Sequence, residues 1–387
     1  MKLKNIVMAF GVLLAFSACS NDNETLKEEG TAFLSIKVAT NTRTDKKVQT
    51  KADPLALPGE DNINTLTAFV FSTATQEFIG GRTDIANAVE TYEMSAIEVQ
   101  VESQQTAMIV LVSNAPAAAM QGITNYGQLQ SVLAQLADQQ QNSLTMSTQL
   151  ITTVSPLLEG DNYIGFGEEQ TNVDGINSPL WLTRLPARLQ VVGAETRFDL
   201  EARPELQGRT VRVNSISFTN VKTDSHYFSE GDWGIVQSAD GALSSTAEVA
   251  FDDVLLSTAN TRVGLNYFTY VMENLGEGNT APTSILVTAT LSATDEYESE
   301  TVSFIAPINT LGVNYTSGDG IDVSHRYVKR NFAYNISLVF QGEAFEGTIT
   351  EPDIPPPPPP IVPDPTLFDV AVSVVGWGVV NQPTEPE

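Results

Sequence analysis

Few side chains in this sequence could carry out chemistry. The only histidines are His226 and His325, about a hundred residues apart, which is no metal-ligand spacing. Cys19 is the single cysteine, so no disulfide can close within the chain. No G-x-S-x-G turn, phosphate-binding loop or dinucleotide fingerprint occurs. Glu168-Glu169 and Asp252-Asp253 could pass for paired acids or calcium ligands, but neither sits in the calcium-loop pattern. Asp295-Glu296-Tyr297-Glu298 reads as a charged turn. These carboxylates read more simply as solvated surface. The expectation is a protein that is not an enzyme, with no catalytic residues, no cofactor and no metal. Of the three tryptophans, Trp181 and Trp233 read as core or junction packing, with a sugar platform as the alternative.

A chain of 387 residues with 42% hydrophobic residues has room for two or three cores. Its net charge of −27 excludes nucleic acid as a partner, which would need a basic surface. The basic residues that do occur are placed unevenly. Lys2 and Lys4 precede an apolar run from Ile6 to Phe16, too short to span a membrane. Ser17-Ala18-Cys19 follows. The pattern resembles a bacterial lipoprotein signal cut after Ala18 and lipidated on Cys19, although Phe16 stands where leucine is more usual. An ordinary secretory signal is the alternative.

The elements that follow are mostly strands. Ser20 to Gly30 is a polar tether, and Thr31 to Thr40 is a strand with Ala32, Leu34, Ile36 and Val38 on one face. Asn41 to Asp61 has no apolar period and carries Arg43, Lys46, Lys47 and Lys51. An exposed basic loop is a substrate for an Arg- or Lys-specific protease cutting after Arg43, Lys47 or Lys51; the alternative is a linker that is never cut. The stretch around Leu66 to Phe71 is apolar on both faces, which predicts a central strand. Asn125 to Gln140 has Leu129, Val132, Leu133 and Leu136 at helical spacing behind a cap at Asn125, which predicts a helix. Leu182 to Val192 reads as the passage into a second domain, after which strands recur between Gly, Pro, Asn and Asp turns, as in an all-β sandwich.

The chain closes unusually. Pro355 to Pro360 is a run of six prolines, which must be an extended polyproline rod. Behind it, Phe368, Val370, Val372 and Val374 alternate as a strand, Gly376 permits a bulge, and Trp377 points the other way. This apolar stripe matches that of Ala32, Leu34, Ile36 and Val38 in length and period. The expectation is a strand carried away from its own domain to fill the groove of another molecule, with Trp377 as an anchor.

The order of these features resembles the fimbrillins that build type V pili. Gly59-Glu60-Asp61-Asn62-Ile63-Asn64-Thr65-Leu66 is similar to the start of the trimmed fimbrillin domain. Leu182 to Val191, with Arg184 and Arg188 bracketing Leu185, resembles the family's domain junction. Tyr267 to Asn274 and Arg330 to Ile336 are similar to family strands. The resemblance implies two tandem transthyretin-like, Greek-key β-sandwiches with one helix in the first and a C-terminal donor-strand tail. Expected boundaries are a signal at 1–18, a lipidated tether, strand and cleavable loop at 19–51, domains at 52–184 and 185–350, and the tail at 351–387. The implied function is a pilus stalk subunit, exported to the outer membrane as a lipoprotein, trimmed, and polymerised head to tail with copies of itself and related subunits, supporting adhesion at the cell surface. A lipid-anchored accessory subunit and a surface glycan-binding lipoprotein are the rivals.

Overall fold

The computed structural model describes residues 29–40, 57–102, 106–167, 173, 176, 178–227, 242–274, 281–312, 324–342, 344–345, 361–362 and 368–376. The signal, Cys19, the basic loop, the proline run, Glu168-Glu169, Trp233 and Trp377 lie outside the described residues.

The first sheet is built by β1 (Glu29–Thr40), β2 (Ile63–Ser72), β3 (Phe78–Val89), β4 (Thr91–Glu102) and β5 (Ala107–Ser113), followed past α1 (Tyr126–Gln130) by β6 (Leu133–Gln135), β7 (Met146–Ser147), β8 (Ile151–Thr152), β9 (Gly160–Ile164) and β10 (Leu180–Arg184). Its strands run β10-β7-β5-β2-β3-β4-β1, and β10 pairs back to β1, so seven strands close on themselves. β9 and β8 are added along β1 and β5, and β6 lies outside this sheet. The Greek-key sandwich expected for the first domain is therefore corrected to a barrel-like sheet. Closure leaves fewer unpaired strand edges than two stacked sheets would. It requires strands to approach closely where β3 meets β4: a Cβ on Gly80 would lie 2.5 Å from the Glu98 carbonyl oxygen.

β2 is central, as its two apolar faces predict. Leu66, Ala68 and Val70 fill the barrel interior. Phe69 and Phe71 face a second core with Tyr126, Leu129, Met120 and Tyr227. The predicted helix is real only at its start. Asn125 Oδ1 accepts the Gln128 amide at 2.9 Å, but the helix stops at Gln130. Leu133–Gln135 is a strand instead, paired antiparallel with residues 224–226. A short helix is marginal by itself, and a cross-chain ladder won over the periodicity.

The second half comprises β11 (Ala187–Arg197), β12 (Thr210–Thr219), β13 (Val221–Lys222), β14 (Asp224–His226), β15 (Leu243–Ser244), β16 (Val249–Ala250), β17 (Leu255–Ser257), β18 (Arg262–Val271), β19 (Ser284–Leu291), β20 (Glu300–Pro307), β21 (Phe332–Gln341), β22 (Ile361–Val362) and β23 (Phe368–Gly376). One sheet runs β18-β11-β21-β23 and the other β16-β12-β19-β20-β22, with β17 beside β12. A single core lies between them, with Leu189, Val191, Ile336 and Leu338 from the first and Val213, Ile216, Val287 and Phe304 from the second.

The tail is corrected in one respect. β23 lies along β21 of its own chain, antiparallel and without a register break, from Phe340↔Phe368 to Phe332↔Gly376. β22 pairs with β20 at the edge of the opposite sheet. The strand is therefore not carried away from its parent. Without β23 the outer edge of β21 would be a row of unpaired backbone groups, and β23 satisfies it.

A candidate strand-exchange groove and the junction beside it

β1 is the first described element of the chain, and the residues that follow it, 41–56, carry the basic cluster. Ala32, Leu34, Ile36 and Val38 are all fully buried, as their spacing predicts. They meet Met94, Ile97 and Val99 of β4, Ile164 of β9, and Leu180 and Leu182 of β10 in one cluster. The opposite face is open: Phe33 is 40% exposed, and Lys37 forms an ion pair with Glu93 at 2.8 Å.

The strand is gripped from both sides. β4 runs antiparallel to it from Glu29↔Glu102 to Ala39↔Thr91, with a bulge between Leu34 and Ile36. On the other side β9 pairs in parallel with Ala32–Ile36, and β10 then takes over along Val38–Thr40. The groove walls have supports of their own. Asn162 is buried and bonds back on its own loop, donating to Leu158 O at 2.7 Å and Gly160 O at 3.0 Å and accepting from the Leu158 amide at 2.9 Å. Where β9 gives way to β10, Gly165 sits at φ +83° and a Cβ there would meet the Lys37 carbonyl oxygen at 2.8 Å. None of these supports comes from β1 side chains. The architecture is a slot whose occupant is one contiguous segment.

Of the expected donor residues, Phe368, Val370, Val372 and Val374 lie in register with Phe340, Leu338, Ile336 and Tyr334 of β21. The groove strand and the tail strand thus occupy different sheets, and the structure does not bring them together. Trp181, on β10, is only partly buried.

Beside the groove lies a constellation that motif reasoning missed. Glu60 is fully buried, and Arg188 Nη1 donates to both of its carboxylate oxygens at 2.7 Å. Tyr270 OH and the Leu57 amide donate to the same carboxylate at 2.7 and 2.6 Å. Arg184 pairs with Asp61, donates to Glu60 O at 3.0 Å, and reaches Asn331 Oδ1 at 3.2 Å. A second pair, Arg330 with Glu273 at 2.9 Å, is equally buried, and Arg330 also donates to His226 O and Tyr227 O. Ser147 Oγ donates to Tyr227 O at 2.7 Å, linking β7 to the same segment. The signal was present in the sequence: two arginines interrupt the apolar stretch from Leu180 to Val192, and a charge in such a stretch needs a buried partner.

His226 and His325 have structural partners. His226 Nδ1 lies 2.9 Å from Gln130 O, and His325 Nε2 lies 2.7 Å from Tyr334 OH. No group of three or more metal-binding side chains occurs among the described residues.

Burial pushes the phenols of Tyr227, Tyr270 and Tyr334 well above their usual value, with the neighbouring Glu60 adding to the effect at Tyr270. The Arg184 guanidinium is pulled down to about 10, chiefly by burial. A phenol whose folded pKa is raised contributes stability that is complete below its unfolded value near 10 and lost as pH climbs above it. Arg184 and Arg209, both lowered chiefly by burial, act in the opposite sense, against five phenols, since burial raises Tyr92 and Tyr267 as well. The melting temperature should therefore hold between about pH 7 and 9 and fall steeply above about pH 10. Calorimetric melts across that range check this; a flat profile to pH 11 would contradict it.

Relatives fix what kind of protein this is. A curated protein of Parabacteroides distasonis named as a fimbrium tip subunit, Fim1C, is 36% identical over 384 residues, 98% of each chain. The chain belongs to the fimbrillin family of fimbrial subunits. Two family models agree with this membership: residues 32–184 match the major fimbrial subunit protein (FimA), and residues 185–377 match the Fim1C-like fimbrium tip subunit, C-terminal domain. Among solved structures, a protein of P. distasonis named for cell adhesion has a TM-score of 0.76 at 34% identity, over 92% of this chain and 99% of that one. A fimbrilin of Porphyromonas gingivalis has a TM-score of 0.56 at 18% identity over 92% and 99%, which speaks to fold. Fimbrillins are cell-surface structural subunits rather than enzymes, which is the class the sparse chemistry of the sequence pointed to.

Proposed function

We propose that this fimbrillin enters the fimbrium as an acceptor at its end, with β1 as a removable plug. The precursor is exported with a lipid on Cys19, and a protease cuts after Arg43, Lys47 or Lys51. β1 then leaves, and an extended strand from another subunit adds between β4 and β9–β10. The observation that carries this reading is the position of β1: a strand at the start of the described chain whose apolar stripe is fully buried, followed directly by the stretch with the basic cluster. One cut in that stretch would free it.

The tail favours the end of the fimbrium over the shaft. β23 is engaged along β21 of its own chain, and the curated relative is named as a tip subunit. A subunit that only accepts a strand terminates a polymer; one that also gives a strand extends it. The expected stalk position becomes the second reading, favoured by the strand character of Phe368–Gly376, and it requires β23 to leave β21.

The test has two arms. Trimmed protein should begin at Thr44, Val48 or Ala52, and once β1 is dissociated it should rebind a synthetic 29–40 peptide. A variant lacking 361–387 should still appear by immunogold labelling, and only at fimbrium ends. Label along the shaft of wild-type fimbriae, or loss of assembly in the truncated variant, would restore the stalk reading. Filament protein that retains an intact, lipidated N-terminus would remove trimming from the account and favour an anchor subunit.

A further inference from the structure

The end of the second half that β11 reaches at Arg197 carries a concavity that nothing above uses. β11 leaves the junction at Ala187 and reaches this end at Arg197, a run of roughly 30 Å. There the loop before β12 and the hairpin between β19 and β20 border an open depression of about 500 Å³, lined by Pro204, Gln207, Gly208, Thr294, Asp295, Glu296 and Tyr297.

The wall is a braced hairpin. Arg209 is 1% exposed, and its guanidinium holds both ends of the turn, donating to Ser292 O at 2.7 Å and to Glu298 O. The same guanidinium lies over the Tyr297 ring, 5.6 Å from its centroid. Tyr297 thus touches the buried guanidinium and is also among the residues that line the concavity. Thr294 closes the turn: its amide donates to Tyr297 O at 2.8 Å, and its hydroxyl accepts from the Tyr297 amide at 3.1 Å. The floor is kept low by Gly208, at φ +74° with nothing within 4 Å of a Cβ placed there.

We infer that this concavity is a binding site for a neutral saccharide, with the Tyr297 ring as its platform and Gln207, Asp295 and Glu296 as hydrogen-bond partners for hydroxyls. An aromatic face takes up the C–H face of a sugar, and planar amide and carboxylate groups bind its hydroxyls directionally. Preorganisation by Arg209 lowers the ordering cost that makes most surface loops poor receptors. Two carboxylates at the rim, on a chain of net charge −27, repel sialylated and sulfated sugars. The proposal that this end faces outward rests on the acceptor reading, in which the incoming strand enters the other half of the molecule. Binding itself does not depend on assembly.

The experiment uses the full mature chain and saturation-transfer NMR against neutral, sialylated and sulfated oligosaccharides of matched length. Neutral saccharides should bind in the millimolar to sub-millimolar range typical of one ring and a few hydrogen bonds. Tyr297→Ala should weaken them about tenfold, and Tyr297→Phe should retain most of the affinity. Both variants should keep the wild-type circular-dichroism spectrum at the assay temperature and still enter fimbriae, so loss of sugar binding is separable from failure of strand exchange. Absence of saccharide binding, equal binding by Tyr297→Ala, preference for acidic sugars, or binding of a basic peptide in their place would each overturn the proposal.

Discussion

Replacing Glu60 with alanine should destabilise the protein by about 3–5 kcal/mol, because it strands a buried cation. Arg188 is fully buried, and its Nη1 donates to both carboxylate oxygens of Glu60. Tyr270 OH loses its acceptor as well, and the Leu57 amide loses another. In calorimetry the melting temperature should drop by roughly 10 °C. The paired replacement Glu60→Leu with Arg188→Met should recover most of that loss, since apolar substitutes of similar volume often match a buried ion pair. A melt within about 2 °C of wild type for Glu60→Ala would show that the carboxylate does not hold the junction. The effect bears on assembly. Arg188 lies on β11, Tyr270 on β18 and Leu57 just ahead of β2. None is on β1, and Glu60 lies beyond every expected cut. Trimming would therefore empty the groove while leaving the two halves joined.

Emptying the groove should unfold the first half unless another strand replaces β1. Leu34, Ile36 and Val38 are fully buried, as is the smaller Ala32. Exposing them forfeits about 5–9 kcal/mol of apolar burial, before the backbone ladders to β4, β9 and β10 are counted. That is comparable with the whole stability of an ordinary domain, about 5–15 kcal/mol. Trimmed subunits would then be obligate acceptors. In the uncut chain, Leu34→Ala and Ile36→Ala should each cost about 2–5 kcal/mol. Calorimetry should place that loss in the transition of the first half. The core between the two C-terminal sheets contains no β1 residue and should melt unchanged. Costs below about 1 kcal/mol in both variants would mean that the stripe is not the plug.

The structure separates three kinds of sequence signal. Period-two patterns survived because a strand with one apolar face has only one way to sit against a core. The stripe from Ala32 to Val38 and the two-faced β2 therefore read correctly. Capping also survived, since Asn125 acts on an amide three residues away. Helical periodicity beyond Gln130 did not, because Leu133–Gln135 found a partner in Asp224–His226, about ninety residues distant. Local pattern cannot register such a competitor.

By itself the amino-acid sequence determined that this chain is mostly β, acidic, poor in reactive side chains, and provided with an apolar strand on either side of its two main sheet-forming regions. Those properties are local: side-chain alternation, charge and composition act over a few residues. Only the tertiary structure decided that the first sheet closes on itself, that β23 rests along β21, and that Glu60 meets Arg188 across 128 positions. Each of these is a choice of partner among backbone edges or buried charges. That choice depends on which groups the rest of the fold leaves unpaired.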